Sequence, residues 1–330
     1  MYIDWQSNGL KRLYTGLALV VGLVIAFALR LVSVWIFDVV VMALIFLSAW
    51  EMMRVRKSAG RGVEMPYVFS YIIIAYIMFV IGVVTSFSFL LHIVMQLVTL
   101  IIFGLYVMLM NYMDKDFSKR CNLKKITLGK GTAQSGLEFL KVAVYPVILL
   151  FVLIPLNHLG SWTTVVPDGA SDPINVSMIA TFGLILVFMI SCFTDTFAYL
   201  VGLTLKGPKL CPKISPKKTI SGAIGGLFGG MVGALLTILI FIPNGSVLQT
   251  YLTQRIGGTV EVQCVITALG LVGSIVTQLG GICASVIKRK AGVKDYGNYL
   301  PGHGGAMDRL DGVAFNSMLV FVTFLFLVFI

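Results

Sequence analysis

The chain has 330 residues, of which 58% are hydrophobic and only 12% are charged. A soluble domain carries about a quarter charged residues, so this composition excludes an ordinary soluble protein and predicts lipid as the main solvent. The net charge of +11 would suggest nucleic-acid binding in a soluble protein, but a membrane protein must first be tested for the positive-inside rule. The five cysteines are scattered without a CxxC pair, which indicates neither a zinc site nor a disulfide framework.

Apolar stretches long enough to cross a membrane recur along the whole chain. They lie at about residues 14–29, 33–52, 66–85, 88–110, 140–157, 175–200, 220–242, 262–287 and 312–330. The predicted fold class is all-α, a polytopic integral membrane protein with about nine transmembrane helices. The first stretch follows Lys11 and Arg12 and is predicted to be a retained helix. We expect Arg30 to reach the membrane interface and Asp38, inside the second span, to be hydrated near the outer interface.

The basic residues predict the orientation. With the N-terminus in the cytosol, all but two of the 25 lysines and arginines lie on the cytosolic side, the exceptions being Arg30 and Arg255. This asymmetry supports the helix count and accounts for the net charge without nucleic acid. The longest polar connection, 111–139, is basic and is predicted to lie against the anionic inner leaflet. We expect a bacterial plasma membrane, with the N-terminus and the active site in the cytosol.

Polar residues within spans are few before residue 173 and more frequent after it. The sequence therefore predicts an N-terminal part, 1–173, of transmembrane helices with basic cytosolic loops, and a C-terminal catalytic half, 174–330. Asp195 follows the apolar run 176–193 and is predicted near the cytosolic boundary. Placing a charged residue in or beside a membrane span costs free energy, so such residues often have a function. Spacing alone leaves a structural and a functional role for Asp195 equally open.

A basic segment follows the sixth span and precedes a helix. Lysines before a helix N-terminus can bind phosphate, because the free N–H groups and the helix dipole favour anions. On spacing alone the plainer interpretation, a positive-inside loop, is favoured. The lysines are Lys206, Lys209, Lys213, Lys217 and Lys218.

Small and polar residues mark one face of each of the next two helices. Glycine recurs every four residues in the seventh span, which predicts close helix packing and leaves a homodimer open. Polar or small residues recur at helical spacing along one face of the eighth span. The sequence leaves two roles equally open for this stripe, helix packing and the lining of a cavity. The glycines are Gly222, Gly225, Gly226, Gly229, Gly230 and Gly233, and the stripe is Ser274, Thr277, Gln278, Gly281 and Ser285.

The densest group of charges lies between residues 285 and 311. Asp295, Asp308 and Asp311 fall within 17 residues, among five basic residues and the glycine-flanked His303. Asp308 and Asp311 are three residues apart at the start of the last helix, so their carboxylates can share one face. Clustered carboxylates without a thiol suit Mg²⁺, which commonly bridges carboxylates and substrate phosphates. The glycines that would let backbone approach a phosphate are Gly302, Gly304 and Gly305.

This stretch resembles the signature of the phosphatidate cytidylyltransferase (CDP-diacylglycerol synthase) family, S-x-x-K-R-x(4)-K-D-x-G-x-x-L-P-G-H-G-G-x-x-D-R-x-D. The matching residues are Ser285, Lys288, Arg289, Lys294, Asp295, Gly297, Leu300, Pro301, Gly302, His303, Gly304, Gly305, Asp308, Arg309 and Asp311. A second region, from Asp195 to Thr219, is also similar, whereas the first half matches only in helix pattern and in Trp50-Glu51. The chain departs from the family at Leu203, Ser221 and Ala306, which replace a basic residue, a glutamate and a larger aliphatic.

The resemblance implies a Mg²⁺-dependent nucleotidyltransferase that converts CTP and phosphatidic acid, taken from the inner leaflet, into CDP-diacylglycerol and pyrophosphate. Asp295, Asp308 and Asp311 would hold Mg²⁺, with a second cation left open, and Asp195 would complete the site. Lys294 and Arg309 would act with these aspartates in catalysis. The residues expected to bind the triphosphate or the lipid phosphate are Ser215, Lys218, Lys288, Arg289 and His303.

Two other functions stay open on the sequence. A CTP-dependent kinase acting on a polyprenol or phytol would release CDP without pyrophosphate, and the long signature argues against it. A secondary transporter would also have polar helix faces, but its sites lie near the membrane midplane. The acids of this chain gather at one membrane face, which argues against transport.

Overall fold

The computed structural model describes residues 5–113, 130–161, 176–243, 246–300, 302 and 304–329. Within those ranges, nine helices are long and apolar enough to cross a membrane, which confirms the predicted fold class. The helices are α1 (Trp5–Val32), α2 (Val34–Ser58), α3 (Met65–Val84), α4 (Phe89–Met113), α5 (Lys130–Val142), α6 (Leu149–Phe151), α7 (Leu153–Asn157), α8 (Val176–Thr204), α9 (Ile220–Phe241), α10 (Val247–Ile256), α11 (Thr259–Lys290) and α12 (Met307–Phe329).

The fifth span is built from several short elements. It covers Gln134–Asn157 and passes from α5 through a kinked segment, Ala143–Ile148, into α6 and α7; at the kink, Tyr145 has non-helical φ and ψ values of −128° and 112°. A short 3₁₀ turn, Leu159–Ser161, follows it. The basic connection predicted at 111–139 lies mostly outside the described residues, but its final part, from Lys130, is helical and begins α5.

The chain divides into two compact units. The first contains Met1–Phe151 and Ile287–Arg309, and the second contains Val152–Val286 and Leu310–Ile330. Each unit therefore combines two stretches that are distant in the sequence. The predicted division at residue 173 concerned where catalysis resides, and it stays a prediction.

The core of the first unit is aromatic and also contains buried charges. The ring of Tyr71 lies 5.7 Å from that of Phe103 and 5.6 Å from that of Phe139. Arg30 and Asp38 are only 3% and 0% exposed, and the charge of Asp38 acts on Arg30. The prediction that Asp38 is hydrated is therefore wrong, whereas the depth of Arg30 in the membrane stays a prediction. The protein buries both groups, and the attraction between their opposite charges offsets part of the cost of desolvation.

The core of the second unit depends on close contact between α8 and α9. A Cβ atom on Gly229 would lie 2.4 Å from the carbonyl oxygen of Phe193, and one on Gly233 would lie 2.7 Å from that of Met189. No side chain fits at such distances, so the glycines allow the two helices to approach. The predicted packing role is confirmed, and these faces, being used within one chain, no longer indicate a homodimer.

The polar stripe of α11 also contributes to this packing. Ser274 and Thr277 are 0% and 1% exposed, and the Thr277 hydroxyl lies 3.5 Å from that of Ser191. Asn316 of α12 donates to the Ser191 hydroxyl at 3.2 Å and to the Val187 carbonyl at 3.0 Å. At these positions the stripe acts as helix packing, the first of the two roles that the sequence left open.

A short antiparallel ribbon interrupts the helices between α8 and α9. Strand β1 (Lys209–Cys211) pairs with β2 (Ser215–Thr219), with Lys209 opposite Thr219 and Cys211 opposite Ser215. The sequence predicted a loop here, and the ribbon satisfies part of the backbone of that loop directly before α9 begins.

Candidate active site

In the first unit, residues 291–306 form a loop between α11 and α12, here called the signature loop. The N–H of Leu300 donates to the carbonyl of Gly304 at 3.0 Å, so the loop turns back on itself. Gly302 and Gly304 have φ values of +74° and +83°, a region that favours glycine. Two glycines of the signature are thus required by the turn itself. His303 and Pro301 lie outside the described residues.

Asp308 holds both sides of the signature loop. Its Oδ1 accepts from the Lys288 ammonium at 2.6 Å, and its Oδ2 accepts from the backbone N–H groups of Tyr296 at 2.8 Å and Gly305 at 2.9 Å. The side chains of Lys288 and Asp308 are 11% and 5% exposed. A carboxylate offers about four acceptor sites, and three of them are used here. The structure therefore brings together two predicted site residues, Lys288 and Asp308, as an ion pair.

Aromatic rings support the same loop. The Lys288 ammonium lies 5.3 Å from the centre of the Tyr296 ring, which is 3% exposed. The Tyr299 ring lies 5.4 Å from that of Trp50, and the Tyr299 hydroxyl accepts from Arg54 at 3.2 Å. These contacts connect both halves of the loop to buried or helical parts of the first unit. A cation over an aromatic face adds roughly 0.5–2 kcal/mol at such a position.

A buried glutamate of α2 contacts the start of α12. Glu51 is 0% exposed, and its two carboxylate oxygens accept from the N–H groups of Ala306 at 3.0 Å and Met307 at 2.8 Å. The sequence offered one signal for this residue, its place in Trp50-Glu51, but no role was assigned to it. Its partners are more than 250 residues away in the chain, so spacing could not reveal them.

Other predicted site residues of this unit are open to solvent. Lys294, Asp295, Arg289 and Arg309 are all exposed. Arg289 donates to the carbonyl of Val293 at 3.1 Å. The signature loop thus presents Lys294 and Asp295, and Arg289 and Arg309 lie on the helices that flank it. Asp308 and Glu51 hold the backbone of this region in place.

In the second unit, Lys218 and Asp311 lie beside the same glycine of α11. A Cβ atom built on Gly281 would lie 2.8 Å from the Lys218 ammonium and 3.9 Å from Oδ2 of Asp311. Both side chains are half-buried. The other oxygen of Asp311, Oδ1, accepts from the N–H of Gly312 at 2.7 Å. The structure therefore brings a cation and a carboxylate of the predicted set to one place.

The start of α9 is fixed by hydroxyl groups. Thr219 caps the helix by accepting from the N–H of Gly222 at 3.1 Å. Ser221 donates to the carbonyl of Lys206 and to the Thr219 hydroxyl, the latter at 3.2 Å. A Cβ atom on Gly202 would lie 2.9 Å from the Thr219 hydroxyl, so a glycine is required there as well. Ser221, which departs from the family pattern, thus anchors the segment before the ribbon.

The remaining predicted residues of this unit are Asp195 and Ser215. Asp195, on α8, is exposed, and Ser215, the first residue of β2, is half-buried. Among the residues that the structure describes, no three His, Cys, Asp or Glu side chains lie close enough to hold a metal ion together.

The chain as a whole is similar to known cytidylyltransferases. Residues 10–328 match the model of the Cytidylyltransferase family. A phosphatidate cytidylyltransferase of Rickettsia conorii is 31% identical over 195 residues, covering 54% of this chain and 80% of that protein. One from Rickettsia bellii is 38% identical over 152 residues, covering 46% and 59%. One from Synechocystis is 51% identical over 53 residues, covering 16% and 18%.

Proposed function

The chain belongs to the cytidylyltransferase family, and from that premise we propose that it transfers the cytidylyl group of CTP to phosphatidic acid. The products are CDP-diacylglycerol, a precursor in phospholipid biosynthesis, and pyrophosphate. The observation that carries this proposal is the pair of exposed cations at the signature loop: Lys294 lies within the loop and Arg309 in the first turn of α12, next to a backbone fixed by Asp308. The relatives named phosphatidate cytidylyltransferase support the choice of acceptor.

The reaction needs charge neutralisation more than acid–base chemistry. An oxygen of the phosphatidic acid phosphate forms a bond to the α-phosphorus of CTP, while the bond from that phosphorus to the β-phosphate oxygen breaks. Pyrophosphate leaves with the bridging oxygen and its electron pair. Because the nucleophile is already an anion, no strong general base is required. The protein must hold two anions in line and offset their repulsion.

The basic residues are proposed to supply that neutralisation. Lys294, Arg309 and Arg289 are exposed on or beside the signature loop and would bind phosphate oxygens. Lys218, half-buried beside Asp311, would bind the triphosphate, with Ser215 and His303 donating hydrogen bonds. Lys288 already pairs with Asp308, so its part is to hold the loop and to add positive charge near it.

Mg²⁺ is proposed as the cofactor. This ion usually keeps several waters and binds one or two carboxylates together with substrate phosphates, so it does not need three protein carboxylates at one place. Asp311, Asp295 and Asp195 would provide such carboxylates, and a second cation remains part of the proposal. Asp308 has three of its acceptor sites engaged and would contribute mainly through the loop. When bound, the ion would neutralise phosphate charge in the transition state.

The location proposed for the protein is a bacterial plasma membrane, with the N-terminus and the site on the cytosolic side. The distribution of lysine and arginine supports this orientation, and the nine apolar helices make the chain an integral membrane protein. CTP would arrive from the cytosol and phosphatidic acid from the inner leaflet. Neither the CTP-dependent lipid kinase nor the transporter receives support from the family match or the named relatives.

Turnover of CTP labelled with ³²P at the α-phosphate tests the proposal. The detergent-purified protein is mixed with phosphatidic acid, with and without Mg²⁺, and the label is followed between phases. Label in the lipid phase, formed only with metal, is the expected result. Label that stays aqueous as CTP would contradict the proposed activity, and label released as CDP would indicate the kinase. If chelation of Mg²⁺ left the formation of labelled lipid unchanged, the proposed requirement for the metal would be wrong.

A further inference from the structure

The residue that precedes α12, Ala306, has no side chain that could cap the helix. The first N–H groups of a helix have no acceptor within the helix and usually bond to a Ser, Thr, Asp or Asn at the cap position. Here Ala306 precedes the first helical residue, Met307, and has no side-chain acceptor. Asp308 turns back toward Gly305 and Tyr296. The N–H groups of Ala306 and Met307 therefore depend on an acceptor from elsewhere.

Glu51 of α2 is that acceptor. One oxygen accepts from Ala306 and the other from Met307, at 3.0 and 2.8 Å, with the side chain fully buried. Two acceptor oxygens facing two donors suit an ionised carboxylate, and hydrogen bonds to a charged acceptor are stronger than neutral ones.

At two glycines of the signature, the backbone lies directly against this carboxylate. A Cβ atom on Gly305 would lie 2.4 and 2.5 Å from the two Glu51 oxygens, and one on Gly297 would lie 2.6 Å from Oε1. Real Cβ atoms essentially never come that close. The sequence suggested that Gly305 lets backbone approach a phosphate, but in the structure the group that it approaches is the Glu51 carboxylate.

We infer that Glu51 is a positioning residue for the proposed cytidylyl transfer. In this role it acts through the backbone that it holds rather than on substrate directly. Its carboxylate fixes the first turn of α12 and the end of the signature loop, and so fixes where Asp308 and Arg309 project. It also takes the place that an anion would occupy at this helix start, so neither substrate phosphate binds to the N–H groups of Ala306 and Met307. The inference rests on the proposed function for its kinetic consequence but not for its structural one.

Hydrogen exchange tests the structural part on the unaltered protein. The amides of Ala306 and Met307 should exchange slowly, at least about tenfold more slowly than those of the exposed residues 294 and 295. Rapid exchange at both amides would overturn the inference, whatever the activity. Failure of the unaltered protein to make CDP-diacylglycerol would instead overturn the proposed function and leave this result standing.

Glu51→Gln tests the carboxylate with almost no change in size. Its amide group would set a donor against one of the two N–H donors. We expect faster exchange confined to residues 297–309 and a kcat lowered at least about tenfold, with the KM for CTP changed less than about threefold. Glu138→Gln is the matched control: Glu138 is a buried glutamate of the same unit that pairs with Arg56 and Lys141. This control should leave exchange at 297–309 unchanged.

Gly305→Ala supplies a second route if Glu51→Gln folds poorly. The added methyl group would collide with Glu51, so kcat should fall at least about tenfold in the unaltered background. With Glu51→Ala, which removes the colliding oxygens, the same change should alter kcat less than about threefold. Gly22→Ala, at a site with no neighbour within 4 Å, is the neutral control. Equal losses in both backgrounds, or unchanged kcat in Glu51→Gln, would overturn the inference.

Discussion

The signature loop and the ribbon before α9 are both polar segments that carry predicted site residues, and they are stabilised by different means. In the signature loop, the carboxylates of Asp308 and Glu51 accept from four backbone N–H groups. Before α9, backbone pairing of β1 with β2 and the hydroxyls of Thr219 and Ser221 do the same work. A loop that depends on two charged groups is more sensitive to a single substitution than a paired ribbon. The variants below test that difference.

The largest effect is expected from Asp308→Asn. An amide in place of the carboxylate loses the ion pair with Lys288 and sets an NH₂ group against a donor. We expect kcat to fall about 100- to 1000-fold, because the loop and its cations lose their fixed position. The labelled-CTP assay on protein that elutes normally in size exclusion measures it. Near-full turnover would contradict both the loop role and the predicted metal role.

Lys218→Met should come next. It removes a half-buried cation beside Gly281 and Asp311 while keeping much of the apolar stem. We expect kcat/KM for CTP to fall about 10- to 100-fold, mostly through a higher KM, because triphosphate binding loses one positive charge. Lys213→Met, an exposed lysine of the same ribbon, is the control and should stay within about threefold of the unaltered protein. Equal effects of the two variants would contradict the proposal that Lys218 binds the triphosphate.

Gly229→Ala should change stability rather than turnover. Its methyl group would lie 2.4 Å from the backbone oxygen of Phe193, which cannot move without separating α8 from α9. Overpacking of this kind costs about 1–3 kcal/mol, so the Tm in detergent should fall by several degrees. Gly22→Ala, with open space around it, should leave the Tm unchanged or slightly higher. A Tm equal to that of the unaltered protein would show that the helices approach less closely than described.

The smallest effect is expected from Thr219→Ala. Loss of the cap on α9 should lower the free energy of unfolding by about 1 kcal/mol, because the N–H of Gly222 loses its acceptor. Thermal unfolding followed by circular dichroism measures the change. Thr204→Ala, whose exposed hydroxyl bonds only to carbonyls of its own helix, is the control. If Thr219→Ala proved as damaging as Asp308→Asn, the contrast between the two segments would be wrong.

The sequence predicted the architecture well, because a long apolar stretch marks a span whether its side chains face lipid or other helices. All nine predicted spans are present in the structure. The predicted and observed ends differ by a few residues where a helix continues beyond its apolar run, as in α2, which extends to Ser58. The same pattern could not foresee the burial of Arg30 with Asp38, since a charge near a span end can be hydrated or paired. Only three-dimensional packing decides between the two.

The candidate site was predicted as a set of residues but not as a set of contacts. The signature assigned Lys288 to phosphate and Asp308 to metal, whereas the structure pairs them with each other. Glu51 was recognisable only as part of a matching dipeptide. Its function depends on a contact between distant parts of the chain, which neither periodicity nor spacing encodes. The roles of Asp195, Asp295 and Asp311 in metal binding stay predictions.

The hydrogen bonds between Glu51 and α12 can form only late in synthesis of the chain. The carboxylate leaves the ribosome 256 residues before the N–H of Met307, which at roughly 5–20 residues per second is a wait of about ten seconds to a minute. During that time α2 carries an unpartnered acid at its end, which nearby water or lipid headgroups must solvate. Completion of the fold therefore coincides with the pairing of this buried carboxyl group, and a chain interrupted before α12 would leave it without the two N–H donors.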